Sequence, residues 1–410
     1  MLISIVLGAL TLLSVLLLLW QLITALRFPL HRRVSETAFS PGLTVLKPLK
    51  GAAEDTAACL QSWMAQNYPG KVQLLFGVAD EQDPACEVVR ELMRQNPNVD
   101  AELIVASDLL GANPKVSTLA HLARRSRHGI LCVSDADVRV PEDFLINAVA
   151  PLRDAGVDLV NCFYQLANPT TLAMKWEAIA VNADFWSQVL QSNTIRPQDF
   201  ALGAVMLTRR EALANIGGFE SLLDYLADDY ELGQRIAATG ARIELSPVVV
   251  ECWDKPKKFP EVWQHQLRWA RTIRACEPWP YFFSVLSNVT LWALLLMLLG
   301  MAGNTSGLGF SDNGFLILTL PQGTDLTIPC KVTVVIGLAA IVLRMVIGSM
   351  LAMWLTRKKS YFGLCWLVPV KDLLQVGVWL GAFLGNTVEW GGKKFRIQRG
   401  GEIRPLQPPE

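Results

Sequence analysis

The spacing of apolar residues divides the chain into an uncharged apolar head, a middle of short apolar runs and amphipathic stretches, and an apolar last third. Leu2 to Leu26 contains no charged residue, and a helix of ~25 residues outreaches the hydrocarbon core of a bilayer. A cleaved signal peptide would instead show a basic start, a shorter apolar run and a small-x-small site. The expectation is a retained anchor with its amino terminus outside. Arg27, His31, Arg32 and Arg33 follow it directly, so the positive-inside rule places the next residues in the cytoplasm. Phe282–Ala302 and Val332–Leu355 predict two further spans, the second with Arg344 inside it and Arg357, Lys358 and Lys359 after it. A last apolar stretch, Tyr361–Leu384, is interrupted by Pro369, Lys371 and Asp372. Charges at that depth cost a few kcal/mol each, so this is a span packed against others, or a re-entrant or interfacial piece. A simple span would leave the basic tail (Lys393, Lys394, Arg396, Arg399) outside. A re-entrant segment satisfies both charge clusters.

Between Pro41 and Pro280 the pattern changes. Leu43–Lys47, Val72–Ala79, Glu102–Ala106, Ile130–Ser134 and Val157–Cys162 read as buried strands. Residues 54–66, 84–95, 115–127 and 142–154 between them have helical periodicity, with Pro114 and Pro141 near first turns. Strand–helix alternation predicts a mostly parallel, Rossmann-like sheet covered by helices on both faces, with ligands at the carboxyl ends of its strands.

Composition adds little. Among 410 residues, 37 basic and 37 acidic side chains balance, so no overall basic field points to nucleic acid. The 51% hydrophobic fraction reflects the two chain ends. Eight cysteines without a C-x-x-C pair and four unclustered histidines read as neither a disulfide framework nor a metal centre.

The polar residues of interest fall where the strands end. Asp80 follows the second strand and could accept from a base or ribose, or simply cap a turn. Asn113 and Lys115 open a helix, an arrangement that suits a phosphate as well as plain capping. Asp135 and Asp137 end the fourth strand; in an extended segment both would face one side and converge on Mg2+ or Mn2+. Asp228 and Asp229 begin another helix, where mutual repulsion raises one pKa toward that of a general base; the plainer role is helix amino-terminal charge. In "VWQHQLRWARTIR", Arg268, Arg271 and Arg274 alternate with Trp263 and Trp269. That composition suits a leaving diphosphate and an acceptor, or a basic helix on anionic lipid.

Taken in order, Asp80, Asp135-Ala-Asp137, Asp229 and Arg268-Trp269 resemble the D, DxD, D, (Q/R)xxRW series of inverting glycosyltransferases with the GT-A fold. The segments "LKPLKG", "NPKVSTL", "SDADV", "LGAVMLTRREALANIGGF", "LADDYELG" and "HQLRWARTIR" are closer still to the ceramide glucosyltransferase family and its bacterial, hopanoid-associated relatives. The resemblance implies a UDP-sugar donor, a hydroxylated lipid acceptor and a divalent metal. It implies an integral membrane protein, catalytic on the cytoplasmic face of a bacterial inner membrane. Asp80 would contact uridine, and Asp135 and Asp137 would hold metal and donor, Asp137 more directly. Asp229 would be the general base, with Arg268 and Trp269 by the diphosphate and acceptor. Asn113, Lys115, Asp228, His265 and Arg271 are the further expected substrate contacts. One position departs from the pattern: His265 stands where the series has Gln or Arg.

The expected organisation is an anchor over 1–27, a catalytic domain over 41–280, membrane segments over 281–390 and a basic tail over 391–410. Met174–Leu190 carries aromatic and apolar residues at helical spacing and could shape a groove for lipid, or pack as core. The polar loop Asn304–Lys331 reads only as a connection on the outer face. Two other classes share fragments of the pattern. A haloacid-dehalogenase phosphatase would use Asp135 as its nucleophile, and a processive polysaccharide synthase would need enough spans for a channel. A nucleotide-binding scaffold without turnover is the third alternative.

Overall fold

The computed structural model describes residues 2–34, 37–302, 310–311, 315–319 and 325–406. The chain opens with α1 (Leu2–Arg27) and separates into two compact units. One comprises Met1–Arg27, Ile179–Gln191 and Glu277–Leu384; the other comprises Phe28–Ala178, Ser192–Cys276 and Gly385–Glu410.

The second unit is built on an eight-stranded sheet of described residues. Its strands are β1 (Leu43–Pro48), β2 (Val72–Val78), β3 (Ala101–Val105), β4 (Ile130–Ser134), β5 (Val138–Arg139), β6 (Val157–Leu166), β7 (Val205–Arg209) and β8 (Arg242–Cys252), in spatial order β3-β2-β1-β4-β7-β6-β8-β5. The first four in that order are mutually parallel. From there β4–β7, β7–β6 and β8–β5 are antiparallel, and only β6–β8 is parallel. The predicted mostly parallel sheet is present, and its mixed half adds β5, β7 and β8, which the apolar-run reading did not include.

Alternation along each strand explains why the sheet is covered on both sides. Leu43, Val45, Leu74, Phe76 and Cys132 enter one core, while Leu46, Leu75, Leu131 and Val133 enter the other. Fully burying such side chains contributes about 1.5–3 kcal/mol each. The covering helices are α2 (Thr56–Met64), α3 (Ala85–Gln95), α4 (Pro114–Arg125), α5 (Phe144–Val149), α8 (Arg210–Asn215) and α9 (Asp228–Ala238); α6 (Leu172–Ile179) and α10 (Phe259–Cys276) belong to the same unit, and α7 (Trp186–Asn193) falls mainly in the first. Residues Ala180–Phe185 form a π-helical turn between α6 and α7, so the stretch of helical spacing over Met174–Leu190 runs α–π–α.

In the first unit, α11 (Pro278–Phe283) and α12 (Val289–Ala302) are bent by 50° at the break between them. The span expected over Phe282–Ala302 is thus broken. The cause is Asn288, whose Oδ1 accepts the N–H of Leu291 at 2.9 Å and caps α12. Beyond it lie strands β9 (Phe310–Ser311), β10 (Phe315–Thr319) and β11 (Asp325–Pro329), in an antiparallel sheet; the remainder of the loop Asn304–Lys331 lies outside the described residues. Then come α13 (Cys330–Thr356) and α14 (Leu367–Phe383). Among the described residues two helices are long and apolar enough to cross a membrane, or three if the bent pair is one span.

Four ionisable side chains are buried together in this unit. Arg344 on α13 donates to Asp184 of the π-helical turn at 2.8 Å and to Asp372 of α14 at 2.9 Å. Lys371 pairs with both carboxylates, and Thr290 Oγ1 donates to Asp372 at 2.6 Å. Each charge is paired with opposite charge, which is why an apolar bundle tolerates them.

The second unit ends in a small sheet. Strands β12 (Thr387–Trp390) and β13 (Lys393–Ile397) turn at Gly391 and Gly392, whose φ of 60° and 81° only glycine adopts freely; β14 (Ile403–Pro405) completes it. Val388, Phe395, Ile397 and Ile403 close on Leu226, just ahead of α9.

Removing one member of the buried charge cluster should be costly. Arg344→Met leaves two carboxylates against one ammonium and is expected to lose roughly 3–5 kcal/mol. In detergent its thermal midpoint should fall well below wild type. Arg242→Met, which breaks an exposed pair with Asp154, should barely move it.

Candidate functional site

The site forms where β1, β4 and the first turns of α4 and α9 end on the sheet's carboxyl side. Asn113 caps α4: its Oδ1 accepts the N–H of Val116 at 3.1 Å and its Nδ2 donates to Tyr225 O at 2.7 Å. Pro114 occupies the first helical position, and Lys115 follows in the first turn. The Lys115 ammonium lies 2.9 Å from Asp135 Oδ1 and 3.2 Å from Asp228 Oδ2. Three sequence-predicted residues are thereby brought together by one cation. Burial alone would lower the pKa of Lys115, but the charges of Asp135 and Asp228 outweigh it and hold the ammonium protonated.

Asp135 and Asp137 lie in a tight turn between β4 and β5 rather than on an extended segment. The turn is closed by Val138 N–H donating to Asp135 O at 3.4 Å, and Trp253 N–H donates to Asp137 O at 3.0 Å. The buried Lys47 of β1 sits beneath, donating to Asp135 O and, at 3.2 Å, to Ser134 Oγ. Asp137 opens toward solvent, yet the surrounding protein, and next the charge of Asp135, push its pKa up to about 6, with Lys47 opposing. Burial likewise brings Lys47 down to about 8.

Asp229 is next to the pinned Asp228. Burial first, and then the charge of Asp228, raise its carboxyl to about 6, with Lys115 pulling the other way. Gly203 makes room for it: a Cβ there would stand 2.6 Å from Asp229 Oδ2. Burial also lowers the pKa of Arg268, which lies in the opposing fields of Glu177, Asp135 and Asp229. Trp269 packs on His265, ring centroids 4.5 Å apart.

The other predicted residues are engaged locally. Asp80 Oδ1 accepts from Gln82 N–H at 2.9 Å in its own turn after β2. Asn113 acts as the helix cap described above. Arg271 donates to Thr387 O of β12, so it ties α10 to the tail sheet. Two residues in the site escaped sequence reasoning. Lys47 looks like part of an apolar strand, and Glu177 like a lone charge in an apolar helix. The signal available was the same for both: a charge inside an apolar run needs a partner. For Glu177 that partner is His265, at 2.5 Å.

A divalent cation can be tested against these groups. Among the described residues no three or more His, Cys, Asp or Glu side chains cluster as a metal cage. Two neighbouring carboxylates, one of them raised toward 6 by its neighbour and surroundings, instead fit a hard cation whose remaining ligands come from substrate phosphates.

The sequence profile described as Glycosyl transferase family 21 matches residues 5–403. Ceramide glucosyltransferase 3 of Caenorhabditis elegans is 26% identical over 223 residues, 54% of this chain and 48% of that protein. The ceramide glucosyltransferase of Candida albicans is 34% identical over 123 residues, 27% of this chain and 23% of that protein. The chain thus spans about half or less of the length of these relatives. A solved mannosyltransferase from Pyrobaculum calidifontis, in complex with GDP-Man and Mn2+, superposes with a TM-score of 0.54 at 20% identity, over 93% of this chain and 97% of that one. That likeness carries the GT-A fold.

The raised carboxyl of Asp229 has a consequence for stability. The folded state holds its proton more tightly than the unfolded chain does, so ionising it costs stability as pH rises from about 4 through 6. Asp229→Asn should therefore raise the thermal midpoint at pH 7.5, by roughly 3 °C, and the gain should shrink toward pH 4.

Proposed function

The chain belongs to glycosyl transferase family 21, and from that premise we propose that it moves a sugar from a UDP-sugar to the hydroxyl of a membrane lipid, inverting the anomeric centre. The observation that carries this reading is the Lys115 bridge between Asp135 and Asp228, with the raised Asp229 beside it. One cation thereby links the expected donor side of the site to the expected acceptor side.

Asp137, with Asp135, would hold Mg2+ or Mn2+ against the diphosphate, and a cation there supplies Lewis-acid neutralisation of the leaving group. Lys115 and Arg268 add fixed positive charge where the departing nucleotide becomes more negative. Asp80 would accept from the uridine part, and Asn113 keeps the first turn of α4 in place for Lys115. Asp229 takes the proton of the acceptor hydroxyl as its oxygen attacks from the face opposite the leaving group. His265, Trp269 and Arg271 would border the acceptor. Glucose or N-acetylglucosamine is the proposed sugar, and ceramide or a hopanoid polyol the proposed acceptor. The names of the relatives favour glucose and ceramide. The proposed place is the cytoplasmic face of a bacterial inner membrane, as the basic residues after α1 and α13 suggest. Family membership argues against the phosphatase alternative. Two or three spanning helices among the described residues offer little support for a polymer channel.

UDP release by the purified chain in detergent, with UDP-glucose or UDP-N-acetylglucosamine, Mn2+ or Mg2+, and ceramide or a hopanoid polyol, tests the proposal. Release should need the metal, rise with the right lipid, and fall at least ~100-fold in Asp229→Asn. Silence with every donor, together with hydrolysis of a simple phosphoester, would overturn it. The same assay run against pH should show kcat/KM falling on the acid side with an apparent pKa at or below about 6, since protonated Asp229 cannot accept the hydroxyl proton. A flat profile from pH 5 to 8 would contradict that role.

A further inference from the structure

Glu177 lies on α6 with 3% of its surface exposed. Its Oε1 meets His265 Nδ1 at 2.5 Å and accepts from Gln266 Nε2 at 3.0 Å. Burial alone would raise the pKa of this carboxyl; the hydrogen bonds from His265 and Gln266 outweigh it and hold the group below its usual value. Glu177 is therefore ionised and can only accept. The proton in the His265 contact must then belong to Nδ1, which in the neutral form of the ring leaves the lone pair on Nε2. The ring also packs against Trp269, tilted by 52°. Arg268, one residue before Trp269, lies in the field of Glu177 as well.

This arrangement accounts for the departure from the (Q/R)xxRW pattern. A guanidinium offers only N–H donors and an amide a donor and an acceptor fixed by its atoms, whereas which imidazole nitrogen donates and which accepts depends on the tautomer. A histidine at that position needs a second group to fix which nitrogen bears the proton, as orienting carboxylates do for histidines elsewhere. Glu177 stands where that group is required.

We infer that Glu177 is a positioning residue of the transfer reaction, fixing His265 as its Nδ1–H tautomer so that Nε2 accepts a hydrogen bond from a substrate hydroxyl. This rests on the glycosyl-transfer reading of the site. It assigns that position a specificity element, since an acceptor nitrogen selects a ligand O–H there.

Two measurements on the full chain in detergent decide it. The first is 15N-histidine NMR, which is tractable because the chain has four histidines; His265→Gln identifies the resonance. His265 should be the Nδ1–H tautomer in the wild type and should lose that state in Glu177→Gln. An Nε2–H ring in the wild type would overturn the inference, whatever the chain's activity. The second is a double-mutant cycle on kcat and on the donor and acceptor KM values. Glu177→Gln should lower kcat about 10- to 100-fold with donor KM nearly unchanged. Combined with His265→Gln it should add less than about threefold, because Glu177 acts through the ring. Fully multiplicative losses, or a fully active Glu177→Gln, would overturn the inference while leaving the transfer reading intact. If Glu177→Gln does not fold, the wild-type tautomer still decides. A wild type that transfers no sugar would sink the functional reading instead, and the tautomer would stand as a separate result.

Discussion

Lys115 places one ammonium between Asp135, which follows β4, and Asp228, which begins α9, and the electrostatics of the site depend on that bridge. Without it the turn after β4 and the start of α9 would present carboxylates to each other with nothing between them. With it, Asp228 is spoken for, and its neighbour Asp229 is left raised, close to Gly203 and available for proton transfer. Lys47 does the corresponding job from below, holding the backbone of the Asp135 turn by its carbonyl. Asp137 and Asp229 have neither ammonium on their oxygens in this network, and of the two Asp137 is the one that faces solvent. The distribution of charge thus separates a residue suited to a cation from a residue suited to a proton.

The first unit follows the same rule under harsher conditions. Asp184, Arg344, Lys371 and Asp372 are each nearly inaccessible and would be prohibitively costly alone. Together they form two carboxylates and two cations with every contact internal. The polar side chain of Asn288 joins them through Asp372 O, to which its Nδ2 donates at 2.9 Å. The residue that breaks α11 from α12 is therefore tied to the helix that carries the buried pair.

Where a strand is buried on both faces, its apolar run is continuous and its limits could be read closely from the sequence: β4 was predicted residue for residue, and β1 and β2 to within one. The mixed half was harder. β8 carries Arg242, Glu244, Ser246 and Pro247 within a strand of partial burial, so its alternation is interrupted. The tail sheet was hidden because β12 to β14 are short and rich in charge, and their apolar residues meet only Leu226 and one another. Of the site, acidic residues at strand and helix ends were legible because such ends are where a sheet of this kind presents polar groups. Glu177 and Lys47 were not, because each acts on a partner 88 residues further along the chain, His265 and Asp135. No local pattern encodes such a pairing.

The most direct test of the central claim is a structure of the full chain with UDP and Mn2+ bound. The account predicts that Asp137 and Asp135 hold the ion, that Lys115 and Arg268 contact the diphosphate, and that Asp229 stays free of metal. An ion held instead by Asp228 and Asp229, or a nucleotide away from the carboxyl ends of β1 and β4, would contradict it.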